Sequence, residues 1–230
     1  MMASGITHRT GYGCEHVIVT RLEGGRRPSA SALAQRLQTV YLARMTALQK
    51  QQMSVDEFVT WARQQPDRWE LLDGLPVAVW PARVVHGDVE YRVARALDTA
   101  IAKANMPCRF VLDSAAVPID TRSLYQPDAL VYCGEPVSPD ALEIPHPVVV
   151  LEVLSPGNAA TDLRDKLQGY FRVPSVQHYL IVDPDQRFVI HHARGERDMI
   201  ATRIVREGAL HLAPPGIEIA LADIFPASSG

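Results

Sequence analysis

The sequence predicts one domain of the α/β (α+β) class, a central mixed β-sheet flanked by helices, over residues 51–228 behind an N-terminal extension of residues 1–50. Three features carry that prediction. Val148-Val149-Val150-Leu151-Glu152-Val153-Leu154 is apolar on both faces apart from Glu152, as a central strand covered on both sides must be. Val85, Val89, Val93, Leu97 and Ile101 recur every four residues, the stripe of an amphipathic helix. Short strand-like runs separated by turn residues stand on either side of these two elements.

The extension has a different composition from the domain. Among residues 1–50, Glu15 and Glu23 are the only acids, against Arg9, Arg21, Arg26, Arg27, Arg36, Arg44 and Lys50. Gly24 to Ser31 has linker composition, and Leu33, Leu37, Val40, Tyr41 and Leu48 predict a modest helix over 31–51. This composition fits a basic arm for nucleic acid or a partner. It also fits a disordered extension, or a misread upstream start with Met45 as the true one, and loose termini are the commoner case.

Order begins at Ser54. Ser54 and Glu57 stand as N-cap and N3 of a capping box, with Met53 and Phe58 at the hydrophobic-staple positions. Pro66 disfavours helical geometry before it, so the helix is expected to stop near Gln65. Trp69 to Leu72 and Leu75 to Trp80 flank Asp73-Gly74, a tight-hairpin pair. A helix over Val84 to Ala104 follows. Strands are then expected at Arg109 to Leu112, Ala115 to Ile119, Ala129 to Tyr132 and Val148 to Leu154. A helix over Asp162 to Phe171 comes next. Strands at Gln177 to Val182, Phe188 to His192, Ile200 to Val205 and Ile217 to Ile219 complete the chain, with Asp183-Pro184-Asp185 as a turn. No internal repeat is present.

Composition narrows the class. An apolar fraction of 47% with 21% charged residues suits an ordinary globular core. No apolar run reaches the roughly 18 residues of a membrane helix, and MMASGITHRTGYG lacks the apolar stretch of a secretory signal. Cys14, Cys108 and Cys133 stand singly with no CxxC, which argues against a disulfide framework and for a reducing, cytoplasmic address. The net charge of −3 speaks against a protein that coats nucleic acid, although a local basic rim is enough for binding.

The residues that carry chemistry are charges set where the pattern asks for apolar side chains. Glu152 lies in the strand that should be most buried, where an unpaired carboxylate costs several kcal/mol. By itself it fits a Glu paired with Arg or Lys, or one at the strand's open end, as well as a functional acid. Asp128 follows Pro127 at the start of the next strand, a common place for a turn Asp. Two carboxylates on neighbouring strands are, however, a way to hold Mg²⁺. Lys166 lies on the flank of the helix face formed by Leu163, Leu167 and Phe171, within reach of the sheet, with Tyr170 one turn on. An ammonium there can orient a nucleophile or stabilise charge on phosphate. A solvated lysine paired with Asp162 is the commoner arrangement.

The order ELLDG, a helix-starting His86, PDALVY, VVVLEVLSP, DLRDKLQGY and HYLIVDP resembles the Uma-two family, the restriction-endonuclease-like domain also known as domain of unknown function 820. The resemblance covers roughly Met53 to Phe225. It implies a restriction-endonuclease-like core of the PD-(D/E)XK superfamily with a divalent-metal site. Asp128 matches the motif's first carboxylate and Glu152 its second. The usual ExK lysine would stand where Leu154 does, and Lys166 on the following helix matches its migrated place. Glu70 matches an acidic position that joins the site, or solvates a hairpin edge. His86 is a phosphate contact or a helix cap, and Tyr170 is read as packing. The family's common aromatic pair in a later strand reads His178-Tyr179-Leu180 here, a change expected to affect packing.

The expected activity is a Mg²⁺- or Mn²⁺-dependent endonuclease acting on DNA. Asp128, Glu152 and the Val153 carbonyl would hold the ion, while Lys166 and Glu70 assist. A homodimer would present two sites. No membrane and no organic cofactor are expected. The rival is a nuclease-fold protein that no longer cuts and serves as a nucleic-acid-binding or interaction module. A serine hydrolase is disfavoured because GxSxG is missing and Ser155-Pro156 makes no nucleophile elbow. His191 and His192 alternate on a strand and should face opposite ways.

Overall fold

The computed structural model describes residues 52–79, 82–155, 160–197 and 199–227. The helix expected over 31–51 lies outside them. Every described residue belongs to the compact unit Met45–Gly230.

Helix α1, Val55–Ala62, starts on the capping box. Ser54 Oγ accepts the Glu57 N–H, and Glu57 Oε2 accepts the Ser54 N–H at 2.8 Å. It ends sooner than Pro66 alone requires, because Gln64 and Gln65 tighten into a turn on Trp61 and Ala62. Strands β1, Trp69–Leu72, and β2, Leu75–Ala78, form the expected hairpin. Asp73 and Gly74 both take positive φ (47° and 79°), the geometry of a type I′ turn, which is why this pair suits the position. Helix α2 runs Val84–Ala104 and closes on Asn105 in the left-handed conformation.

Strands β3, Cys108–Leu112, β4, Val117–Asp120, and β5, Ser123–Tyr125, follow. Next come β6, Ala129–Cys133, and β7, Pro147–Val153. Helix α3 is Ala160–Arg172. Strands β8, His178–Asp183, β9, Phe188–Arg194, β10, Ile200–Val205, β11, Ala209–Leu212, and β12, Ile217–Ala220, lead to a short α4, Leu221–Ile224.

Six strands form the central mixed sheet in the order β10-β9-β8-β7-β6-β3, with β7 and β8 parallel and the other pairs antiparallel. Four more, β2-β1-β5-β4, form a second antiparallel sheet, and β11 pairs with β12. The mixed α/β class is as expected. The second sheet and strands β5 and β11 were not, because three or four residues leave no periodicity to read.

Strand β7 divides the core. Val149, Leu151 and Val153 join the cluster with Val93 and Leu97 of α2 and with the β11–β12 hairpin. Val150 faces the other way, toward Tyr170 of α3 and Tyr179 of β8. Glu152 shares that second face by alternation.

The cysteines require a correction. Cys108 and Cys133 are directly opposite in the β3–β6 register and are joined by a disulfide. Register, which spacing along the chain does not reveal, brings them together, and their pairing removes the cysteine argument for a reducing compartment. Among the described residues no helix is long and apolar enough to cross a membrane.

Candidate active site

The site forms where β6 and β7 end beside the N-terminal turn of α2. The β6–β7 register pairs Ala129 with Leu151, so one step further Asp128 lies opposite Glu152 on the same face. Asp128 is held there by the backbone. The Val153 N–H donates to its Oδ2 at 2.6 Å, and its own carbonyl accepts from the Asp113 N–H at 2.9 Å.

Glu152 is buried, and its Oε1 receives two donors. Lys166 Nζ lies at 3.0 Å and the Tyr170 hydroxyl donates at 2.7 Å. Lys166 is 4% exposed and also reaches Glu70 from β1 at 3.1 Å. Glu70 Oε1 in turn accepts the Gln126 N–H at 2.8 Å, next to the strand that carries Asp128. One ammonium thus ties together β1, β7 and α3, three elements distant in sequence. Burying these charges is tolerable only because each is paired. Burial pushes the Glu152 carboxyl up, to about 8, against the pull of Lys166, with Asp128 and Glu70 adding to the rise. Burial likewise raises the Tyr170 hydroxyl well above its ordinary value, so it stays a donor.

Helix α3 fits closely here for a local reason. A Cβ on Gly169 would strike the Tyr125 ring, which packs edge-on against Tyr170 with centroids 5.4 Å apart. Glycine lets the helix approach, and the neighbouring turn then aims Lys166 and Tyr170 inward.

A second group adjoins the first. His86 Nε2 stands 3.5 Å from Asp128 Oδ1, and its Nδ1 meets Ser155 Oγ at 3.1 Å. Glu90, one turn further along α2, offers a third donor. Donor atoms of His86, Glu90 and Asp128 all lie within 4.8 Å of one another, which could hold a metal ion. Asp128 raises the His86 imidazole despite burial, and burial, then Asp128, raises the Glu90 carboxyl.

Asp128, Glu152, Lys166, Glu70, His86 and Tyr170 therefore gather in one region. Val153 meets Asp128 through its N–H, and Tyr170 adds a hydrogen bond to its packing. Glu90 escaped the sequence reading. Its signal was the i, i+4 spacing from His86, which sets both on one helix face. His191 and His192 do point apart, the first to His178 and the second to Thr202.

Comparison with known proteins agrees with this architecture. The Uma2 (Uma-two) family model, described as "Putative restriction endonuclease", matches residues 55–223, and the chain belongs to that family. An uncharacterised protein of Synechocystis is 25% identical over 160 residues, covering 68% of this chain and 90% of the relative. A second one from the same organism is 23% identical over 181 residues, covering 75% and 91%. Among solved structures, one titled as a putative nuclease of domain of unknown function 820 from Anabaena variabilis superposes with a TM-score of 0.61. It is 16% identical and covers 75% of this chain and 97% of its own, a likeness of fold.

Proposed function

We propose that this member of the Uma2 family is a Mg²⁺- or Mn²⁺-dependent endonuclease that hydrolyses phosphodiester bonds in DNA. The observation that carries the reading is an excess of acid. Buried Glu70, Glu152 and Asp128 and half-buried Glu90 converge, among the described residues, on one lysine and one histidine. Four carboxyl groups against two basic side chains leave room for further positive charge, and a hard divalent cation with oxygen and imidazole donors meets that need.

Asp128 is the residue shared by both groups. With Glu90 and His86 it offers three donors, and Glu152, opposite it on β7, and the Val153 carbonyl would add to them. A bound ion would supply Lewis-acid chemistry, shielding the phosphate and acidifying water. The chain's own contribution is positional. Lys166, locked between Glu70 and Glu152, presents a fixed positive charge that orients the attacking water and stabilises the charge growing on phosphate. Tyr170 steadies Glu152, and Glu70 assists through Lys166, a second ion or a water. Water oxygen forms the new bond to phosphorus, the bond to the leaving sugar oxygen breaks, and that oxygen departs with a proton.

The test is plasmid nicking with Mn²⁺ or Mg²⁺ beside Glu152→Ala and Lys166→Ala, with calorimetry of metal binding in Glu90→Ala. Metal-dependent nicking lost in both active-site variants is the expected result. A folded wild type that binds metal and never nicks would favour the interaction-module reading instead.

A further inference from the structure

Strand β10 is the least covered strand of the central sheet. Residues Ile200 to Ile204 are exposed and only Val205 is half-buried, while Met199, Ile200 and Ile204 expose 64%, 39% and 60% of their surface. It is also terminal in the sheet order, so its outer row of N–H and C=O groups has no neighbouring strand among the described residues. Exposed edges are ordinarily protected by charge, proline, bulges or shortness. This one pairs with β9 in unbroken register over six residues and sets two isoleucines on its outer face.

We propose that a second copy of this chain occupies that edge, with the two β10 strands antiparallel about a twofold axis at Thr202. A perpendicular twofold keeps each strand's faces, so a residue can oppose only residues of its own alternating set. That leaves few registers. An axis at Arg203 sets two guanidinium groups face to face and Ile200 against Arg206. An axis at Ala201 sets Met199 against Arg203 and leaves Ile204 unmatched within the strand.

An axis at Thr202 sets Ile200 against Ile204 of the second copy, Met199 against Val205, Ala201 against Arg203, and Thr202 against itself. Beyond the strand ends, the turn with Glu196 and Arg197 comes beside the segment Arg206-Glu207 of the other copy, opposite charges available on both sides. Apolar pairs on the outer face and charge complementarity at both ends favour this register over the other two. The pairing joins two six-stranded sheets into one. It is independent of the nuclease reading and stands or falls separately from it.

Sedimentation velocity of the full chain tests it. The wild type is expected at twice the chain mass. Ile200→Lys with Ile204→Lys should sediment as a monomer, since every lysine faces another. Ile200→Lys with Ile204→Glu removes the same apolar surface but sets each lysine against a glutamate of the second copy, and should remain a dimer. Oxidised Thr202→Cys should give a covalent dimer on non-reducing gels, whereas Ala201→Cys should not. A monomeric wild type, two double variants in the same state, or cross-linking at Ala201→Cys and not at Thr202→Cys overturns the proposal.

Discussion

Glu152 and His191 lie on opposite faces of the same sheet, each buried and each in a polar cluster, yet the clusters are built on different principles. Around Glu152 four carboxyl groups converge on Lys166 and His86, and burial drives the Glu152 and Glu90 carboxyls upward. Around His191 the chain satisfies itself. The Pro214 carbonyl can only accept, so His178 Nε2 carries the proton at 2.9 Å. His178 Nδ1 then accepts from His191 Nε2 at 2.9 Å, and His191 Nδ1 faces Arg203 at 3.4 Å. Each imidazole has a partner at both nitrogens while neutral. Burial holds both pKa values down, with Arg203 adding to the effect, and His191 falls to about 4. A polar cluster that closes on itself is architecture, whereas one left with surplus charge is prepared for something that arrives.

The largest expected effect tests the lysine. Lys166→Met leaves Glu70 and Glu152 buried without their cation, and should cost about 3–5 kcal/mol in urea unfolding without metal. A loss under one kcal/mol would mean that the two glutamates carry no charge needing compensation.

Activity should separate the clusters. Glu152→Gln keeps the shape and removes the carboxylate that a metal would take, and nicking should fall by about two to three orders of magnitude. His191→Gln should leave the nicking rate within a few-fold while lowering the unfolding midpoint. Equal losses in both variants would erase the distinction drawn here.

Acid should act on the histidine cluster. His191 titrates near 4 when folded against its ordinary 6.5, so between those values the unfolded chain binds a proton that the folded chain excludes. Stability is then complete above about pH 6.5 and falls as pH drops toward 4, by on the order of 3 kcal/mol from this residue. Urea midpoints across that range should show the slope in the wild type and lose much of it in His191→Gln.

Divalent metal should act on the other cluster. At a hundredfold excess over Kd, Mg²⁺ or Mn²⁺ should stabilise the wild type by about 2.7 kcal/mol, with the gain reduced in Glu90→Ala and kept in His191→Gln. The smallest effect concerns the scaffold. Gly169→Ala forces α3 away from Tyr125 and should cost about 1–3 kcal/mol, with weaker nicking as Lys166 and Tyr170 shift. Unchanged nicking and stability would show that the Tyr125 ring yields freely.

Several elements were legible because their determinants are local. The Ser54–Glu57 box, the Asp73-Gly74 turn and the four-residue stripe of α2 each rest on spacings of four residues or fewer. Glu152 was conspicuous as a charge inside an apolar run. Lys166 was harder, since helical spacing put it on a flank without saying whether solvent or Glu152 would receive it. Glu90 carried only its i, i+4 spacing from His86, a weak signal because half-exposed acids on helices are commonplace. The pairing of Cys108 with Cys133 and the formation of the β2-β1-β5-β4 sheet depend on strand partners remote in sequence.

By itself the sequence determined where the first two helices start, where the first hairpin turns, which strand is central and which carboxylates stand out, since capping, turn geometry and periodicity act over a few residues. Tertiary structure alone decided that one ammonium serves both Glu70 and Glu152, that Asp128 turns to His86 and Glu90, and that β10 has no further strand beside it among the described residues. Those outcomes depend on distances set by strand register and helix docking, which no spacing along the chain encodes.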